Sequence, residues 1–397
     1  YNFYIIIVER YIVMTMQKLE SDRMGVVVRQ RSGYSAFIPH KLNDIISTIE
    51  FDAEMIKLLS EADRALGELK GLSKVLQEPD LFIACYVQKE ALLSSQIEGT
   101  ECSLDDVIQV EGNTLELKPV HEVVNYINAM NEGLLNLKKL PMSSRLLHII
   151  HNILLQDVRG KEKEPGSFKR YQNWIGPPGC NLSEATYVPP PPYIVNDLMG
   201  DWELYYNDHK ELPPLIEAAL LHYYFETIHP YIDGNRRLGR LLITFMLCER
   251  KVLTKPLLYL SLFFKENRKD YYQLLMNARF KGELEEWIKF FLRGVRNTSK
   301  EATKTALEIK KLHTKDFDMI KVGLAGNRIA VPFFELVCSK PIVSISGAAK
   351  ILNSTYPTTK NIIKKFVERN ILKAYKGVSK KSTFVYAEYL EILKRGT

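Results

Sequence analysis

The 397-residue chain is poor in cysteine and has neither long apolar runs nor internal repeats. Each scarcity removes a class of protein. The five cysteines, Cys85, Cys102, Cys180, Cys248 and Cys338, stand far apart, and no CxxC pair occurs. An odd, scattered set argues against a disulfide scaffold or a cysteine zinc site and for a reducing compartment, so a cytoplasmic location is expected. No apolar run reaches the ~20 residues that cross a bilayer, so no membrane association is expected. The opening stretch, residues 1–13, is apolar but broken by Glu9 and Arg10. It lacks the basic leader and small-residue cleavage site of a signal peptide. Residues 1–16 are expected to be a non-native leader, with Met14 or Met16 as the start. His148 and His151 have helical metal-pair spacing, but no carboxylate or cysteine cluster completes a site, so both are expected to pack. With 46% hydrophobic and 25% charged residues, the composition is that of an ordinary globular protein of two or three domains.

What is present is mostly helical. Apolar residues recur at helical spacing over 51–76, 80–98, 119–138, 143–157, 193–208, 214–228, 234–250, 267–280 and 284–312. The densest chemistry lies between two of these segments, in His229-Pro-Tyr-Ile-Asp-Gly-Asn-Arg-Arg-Leu-Gly-Arg240. Pro230 disfavours the α region for His229, so the first helix ends there. Gly234 and Asn235 open the second helix, where free N–H groups and the macrodipole favour an anion. Arg237 and Arg240 are three apart and share a face suited to gripping phosphates. Asp233 is a hard oxygen ligand for Mg²⁺ held jointly with phosphates. His229 is the residue type that removes a hydroxyl proton near neutral pH. Together these groups suit a nucleotide triphosphate.

The segment resembles the signature of Fic-domain adenylyltransferases, His-Pro-Phe-x-Asp/Glu-Gly-Asn-Gly-Arg-x-x-Arg. Further stretches are similar to that family: residues 166–176 with 187–192 to its flap, residues 257–264 and 267–272 to its following helices, and residues 33–39 to its N-terminal extension. The resemblance covers roughly residues 30–295. It implies a mostly α fold, with a Fic-type helical core and a small β-hairpin flap. It also implies transfer of AMP from ATP to a Ser, Thr or Tyr hydroxyl, with His229 as base and Asp233 holding Mg²⁺. Nucleotide contacts are implied for Gly234, Asn235, Arg236, Arg237, Leu238, Gly239 and Arg240, and for Asn267 at the nucleoside. Two positions depart from the signature. Tyr231 replaces Phe and adds a hydroxyl that needs a partner. Arg236 replaces a Gly that allows close backbone approach to phosphate, and either adds phosphate affinity or crowds the site.

Upstream, Ser94-Ser-Gln-Ile-Glu98-Gly99 ends a helix, with Gly99 as the stop. Ser94 and Glu98 share a face. The segment resembles the family's inhibitory helix, whose Glu pairs with the second motif arginine, here Arg240, and blocks the γ-phosphate. The flap, Tyr171–Ile175 and Tyr187–Val188 around a Pro-Pro-Gly turn, is expected to be a hairpin with a free edge that docks a target protein by strand addition.

Residues 341–397 differ from the rest. Eleven basic and three acidic residues give this tail +8, against +7 for the whole chain. A short helix, a turn, a second helix at 358–369 and two strand-like runs around a basic loop read as a winged helix-turn-helix. Thr358, Thr359, Lys360 and Lys364 are expected to face DNA, with Lys380 and Lys381 on the wing. The expected division is 17–115 (N-terminal helical region with the inhibitory motif), 116–312 (catalytic core) and 313–397 (winged helix). A homodimer is a further expected partner state. Two functions stay open: a self-inhibited AMP transferase, and a nucleotide-sensing DNA-binding regulator whose catalysis Arg236 has impaired. The first also admits removal of AMP at the same site, and transfer of another phosphate-linked group.

Overall fold

The computed structural model describes residues 18–73, 79–103, 106, 118–158, 160–208, 211–375 and 383–395. Two antiparallel strands come first, β1 (Gly25–Arg29) and β2 (Ser35–Pro39), with Val27 opposite Phe37. Adjacent Ala36 and Phe37 point to opposite faces of β2 and both are buried, Phe37 in the main core and Ala36 beside Ala185 and Val188. Eleven helices follow in the described residues: α1 (Leu42–Ile46), α2 (Ala53–Ser73), α3 (Pro79–Ile97), α4 (Lys118–Asn136), α5 (Ser144–Leu154), α6 (Val195–Asp208), α7 (Pro214–Ile228), α8 (Asn235–Glu249), α9 (Ser261–Glu266), α10 (Arg268–Lys281) and α11 (Leu284–Gly323).

Helix α7 is the centre. Every residue from Leu215 to Ile228 is buried, as expected of a helix with apolar residues on all sides. Neighbouring helices are tied to it through buried polar tips. Trp202 of α6 donates to the Leu221 carbonyl at 3.1 Å, and Trp287 of α11 donates to the Ala219 carbonyl at 2.9 Å. Burying these indoles without a partner would cost the desolvation of each N–H, so the two bonds fix where the helices sit. His222 sits between α7, α8 and α10. Its Nδ1 faces the Gly239 carbonyl at 3.0 Å and must carry the proton, so its Nε2 accepts from the Tyr271 hydroxyl at 2.9 Å. The N-terminal strands are anchored by Arg23, which grips Glu285 of α11 with both terminal nitrogens, at 2.8 and 2.5 Å.

Helix α11 runs for 40 residues, about 60 Å. The domain boundary expected at 312/313 therefore falls inside a continuous helix. Leu312, Asp316 and Ile320 on its distal part are buried. They belong with the C-terminal elements α12 (Ala330–Ser339), β3 (Ile342–Ser344), α13 (Ile345–Ile351), α14 (Tyr356–Glu368), β4 (Lys373–Tyr375), β5 (Thr383–Val385) and α15 (Ala387–Lys394). The three strands form one antiparallel sheet in the order β3-β5-β4. Helix α12 has no counterpart among the helices expected from the sequence. Its first turn contains Pro332, which reads as a breaker, and its residues lack a polar face.

The C-terminal elements touch the rest at defined points. Tyr386 donates to Asp316 at 2.6 Å, and Lys89 of α3 donates to the Arg395 carbonyl. Thr359 of α14 is fully buried and bonds the Thr355 carbonyl, so it does not face a partner as expected; Thr358, Lys360 and Lys364 are exposed. Lys380 and Lys381 lie outside the described residues. Cys102, Cys180 and Cys248 are free thiols, and no described helix is long and apolar enough to cross a membrane.

Candidate active site

The loop between α7 and α8 holds its shape through its own polar groups. His229 caps α7 in the left-handed region, at φ 50° and ψ 59°, an uncommon conformation for a residue with a Cβ. Asn173 pins it, donating from one Nδ2 to the carbonyls of His229 (3.0 Å) and Tyr231 (2.7 Å). Asn235 closes the turn from inside, accepting from the Tyr231 N–H at 2.8 Å and donating to its carbonyl at 2.7 Å. The Tyr231 ring stacks on His151 at 3.8 Å, and its hydroxyl meets His148 Nδ1 at 2.9 Å. That hydroxyl, the addition of Tyr over Phe, is thus satisfied. The Gly166 N–H donates to His151 Nδ1, so His151 Nε2 carries the proton and donates to the Asp233 carbonyl at 2.8 Å. His148 and His151 support the loop and do not form a metal pair.

The site is a groove of about 190 Å³ lined by Glu98, Trp174, Ile175, Gly176, His229 and the segment from Ile232 to Arg237. That is below the ~300 Å³ at which small-molecule sites usually begin. Glu98 is one of the lining residues. It follows the last turn of α3, where Gly99 takes φ 89° and ends the helix. Its Oε1 accepts from Arg240 Nη2 at 3.0 Å and its Oε2 from Arg236 Nη1 at 3.1 Å. Arg240 is held further by Ser94, through Nε to the hydroxyl (2.8 Å) and Nη2 to the carbonyl (2.9 Å). One acidic side chain therefore joins two guanidiniums, with Arg240 behind it and away from the groove.

Charge in this site follows burial and neighbours. Burial alone would raise the Glu98 carboxyl, but Arg240 and Arg236 outweigh it and hold Glu98 below the usual carboxylate range. His229 is pushed well below an ordinary histidine, by burial first and then by Arg236, Lys169 and Arg279, so it is neutral. Burial likewise depresses Lys169, whose Nζ bonds Asn173 Oδ1 at 2.7 Å and the Ile228 carbonyl at 3.3 Å. A neutral imidazole is in the right state to accept a proton.

The expected site residues divide into three groups. His229, Asp233, Gly234, Asn235, Arg236, Arg237 and Glu98 meet at the groove. Arg240 and Ser94 lie behind Glu98. Leu238, Gly239 and Asn267 do not line the groove. Leu238 is core, Gly239 lets α8 cross α7, and the Asn267 side chain bonds the Phe263 carbonyl at 2.9 Å. The Asn235 side chain is committed to the loop, which leaves its helix-terminal N–H for an anion. Asp233 Oδ1 likewise bonds the Gly234 N–H, at 2.6 Å.

The flap is less regular than expected. Ile175 and Tyr187 pair as a single antiparallel bridge. Tyr187 and Val188 are buried, and the Val188 carbonyl is taken by the Phe37 N–H at 3.0 Å, so they offer no free edge. Tyr171 and Trp174 remain exposed. Lys169, Asn173 and Glu226 contact the loop or His229 and were not singled out from the sequence. Lone polar residues in a loop or on a buried helix carry no periodic signal.

Residues 56–135 match the Fic/DOC family N-terminal model, and residues 141–247 match the Fic/DOC family model. The chain carries a Fic domain. It is 24% identical over 293 residues to protein adenylyltransferase Fic of Drosophila mojavensis, covering 68% of this chain and 53% of that protein. It is 27% identical over 195 residues to a probable protein adenylyltransferase of Aquifex aeolicus, covering 46% and 53%. The chain thus spans about half the length of the curated relatives it matches. In fold it resembles a Fic family protein from Desulfovibrio desulfuricans, with TM-score 0.56 and 21% identity over 85% of this chain and 97% of that one. It also resembles a Fic domain containing signaling protein from Bacteroides thetaiotaomicron, with TM-score 0.50 and 19% identity over 63% and 97%. The motif of this Fic domain is the loop between α7 and α8, and its N-terminal companion includes Glu98.

Proposed function

We propose that this Fic-domain protein transfers AMP from ATP to a Ser, Thr or Tyr hydroxyl of a target protein or of itself, and that Glu98 restrains it. The target oxygen attacks the α-phosphorus, pyrophosphate leaves, and the hydroxyl proton passes to His229. The helix-terminal N–H of Asn235 and the guanidinium of Arg237 at the groove suit the phosphates. Positioning and electrostatics supply most of the catalysis in such a transfer. Asp233 alone fits an ion held mostly by phosphates and waters, and Mg²⁺ bound so would offset phosphate charge. Among the described residues no group of three or more ligating side chains forms a metal site by itself. The names of the relatives support the reaction class.

The observation that carries the reading is Glu98 bonded to Arg240 and Arg236 beside His229. A carboxylate there takes the place an anionic phosphate needs. The test uses pure full-length protein, α-labelled ATP and Mg²⁺. Glu98→Gly raises self-labelling and His229→Ala abolishes it. No label in either wild type or Glu98→Gly, with ATP still bound, favours the nucleotide-sensing reading.

The C-terminal elements support a second partner class. A capped helix α14 with exposed Thr358, Lys360 and Lys364, beside a three-stranded sheet, suits a duplex major groove. Binding to DNA would weaken steeply with salt. At the flap, the exposed Tyr171 and Trp174 are the docking positions proposed for a target segment.

A further inference from the structure

Glu226 lies on α7 one turn before His229 and is 3% exposed. Its Oε2 stands 3.8 Å from His229 Nδ1. His229 Nδ1 and Glu226 Oε1 are both buried and lack a hydrogen-bond partner. The oxygen nearest Nδ1 is Oε2, while the unpartnered Oε1 lies toward Gly239, so a full bond to Nδ1 needs the carboxylate and ring to close by about one ångström. A buried ring nitrogen without a partner is costly unless it meets one during the working cycle. Gly239 keeps the carboxylate in place: a Cβ there would come within 2.5 Å of Glu226 Oε1. The glycine expected at the nucleotide thus makes room for this side chain instead.

We propose that Glu226 is a positioning residue that holds the His229 ring with its proton on Nδ1, leaving Nε2 as the base. The inference rests on the proposed AMP transfer. In the transfer step the hydroxyl proton moves to Nε2, and the imidazolium so formed is balanced by the Glu226 carboxylate. The charged groups facing this pair are Arg236 and Arg240 on α8, Arg279 on α10, Glu98 after α3 and Lys169 before the flap. Arg279 is itself anchored, donating from Nε to Thr227 Oγ1 at 3.0 Å. The competing acceptor for Nδ1 is the backbone carbonyl of Glu226, which also lies near the ring.

The experiment uses full-length Glu98→Gly protein at pH 8, above the raised value of about 7 that burial gives Glu226. Three further changes are compared in it: Glu226→Leu, Glu226→Gln and Gly239→Ala. Glu226→Leu lowers the maximal self-labelling rate ~100-fold while the half-saturating ATP concentration changes less than about twofold. Glu226→Gln, which still offers an oxygen, stays within about tenfold of the parent, and Gly239→Ala, which displaces the carboxylate, falls about tenfold or more. Imidazole ¹⁵N spectra, with His229 assigned by its loss in His229→Ala, show the Nδ1–H tautomer in the parent and its loss in Glu226→Leu. A parent-like rate in Glu226→Leu overturns the proposal. So does an unchanged tautomer, which would assign the orienting role to the backbone carbonyl. If Glu98→Gly transfers no label, AMP transfer fails, and the spectra of Glu226→Leu and Gly239→Ala still decide the positioning role.

Discussion

Replacing Arg236 separates two roles that the sequence leaves open for it. The structure places its guanidinium 3.1 Å from Glu98 and over the Tyr272 ring at 4.6 Å. A charge-assisted hydrogen bond contributes about 1.5–3 kcal/mol. With side chains 26% and 14% exposed, solvent screening reduces this to about 1–2 kcal/mol. Arg236→Gly and Arg236→Ala should therefore weaken the restraint and raise self-labelling about 5- to 30-fold. Glu98→Gly should raise it further, because it also frees Arg240, whose side chain is 1% exposed. The assay is the initial rate of label transfer from α-labelled ATP in four proteins: wild type, Arg236→Ala, Glu98→Gly, and the double variant. If Arg236 acts mainly through Glu98, its removal changes little once Glu98 is gone, and the cycle is strongly non-additive. A fall in basal transfer on losing Arg236, or an equal effect in both backgrounds, refutes the reasoning and makes Arg236 a phosphate ligand first.

Two further predictions concern stability. His222 is held neutral, its pKa lowered to about 3 by burial, so below pH ~6.5 the unfolded chain takes up a proton that the folded chain refuses. Stability is fully present above ~6.5 and falls with pH below it, by about 2 kcal/mol at pH 5 from this group alone. Urea unfolding of wild type and His222→Gln from pH 5 to 7.5 should show a flatter slope in the variant; equal slopes would count against a neutral buried imidazole. At Gly133 of α4, a Cβ would come within 2.2 Å of the Phe245 ring. Gly133→Ala should cost about 1–3 kcal/mol and lower the melting temperature, although alanine is the better helix former. A stabilised variant would mean that α4 and α8 do not pack this closely.

Local features were legible in the residues. Pro230 ends α7, and α8 begins at Asn235, one residue from its expected start. Such signals act within a turn of chain. The groups that hold the loop were not legible. Asn173 and His151 reach it from 56 and 82 residues away, as single polar side chains without periodicity. Leu238 and Gly239 sit inside the motif, yet the helical turn directs them to the core.

The sequence by itself determined a mostly helical chain, the position of the motif and its inventory of base, carboxylate and arginines, and the basic tail. Helical period, proline and net charge are properties of the residues themselves. Only the tertiary structure decided how those groups are used. Glu98 meets Arg236 and Arg240 across 138 and 142 positions, and it takes both, because packing α3 against the core brings one carboxylate between two guanidiniums. Arg236, an irregularity of the motif in sequence, is in space the second partner of Glu98. Ion pairs between distant segments follow from how helices pack, which spacing along the chain does not encode.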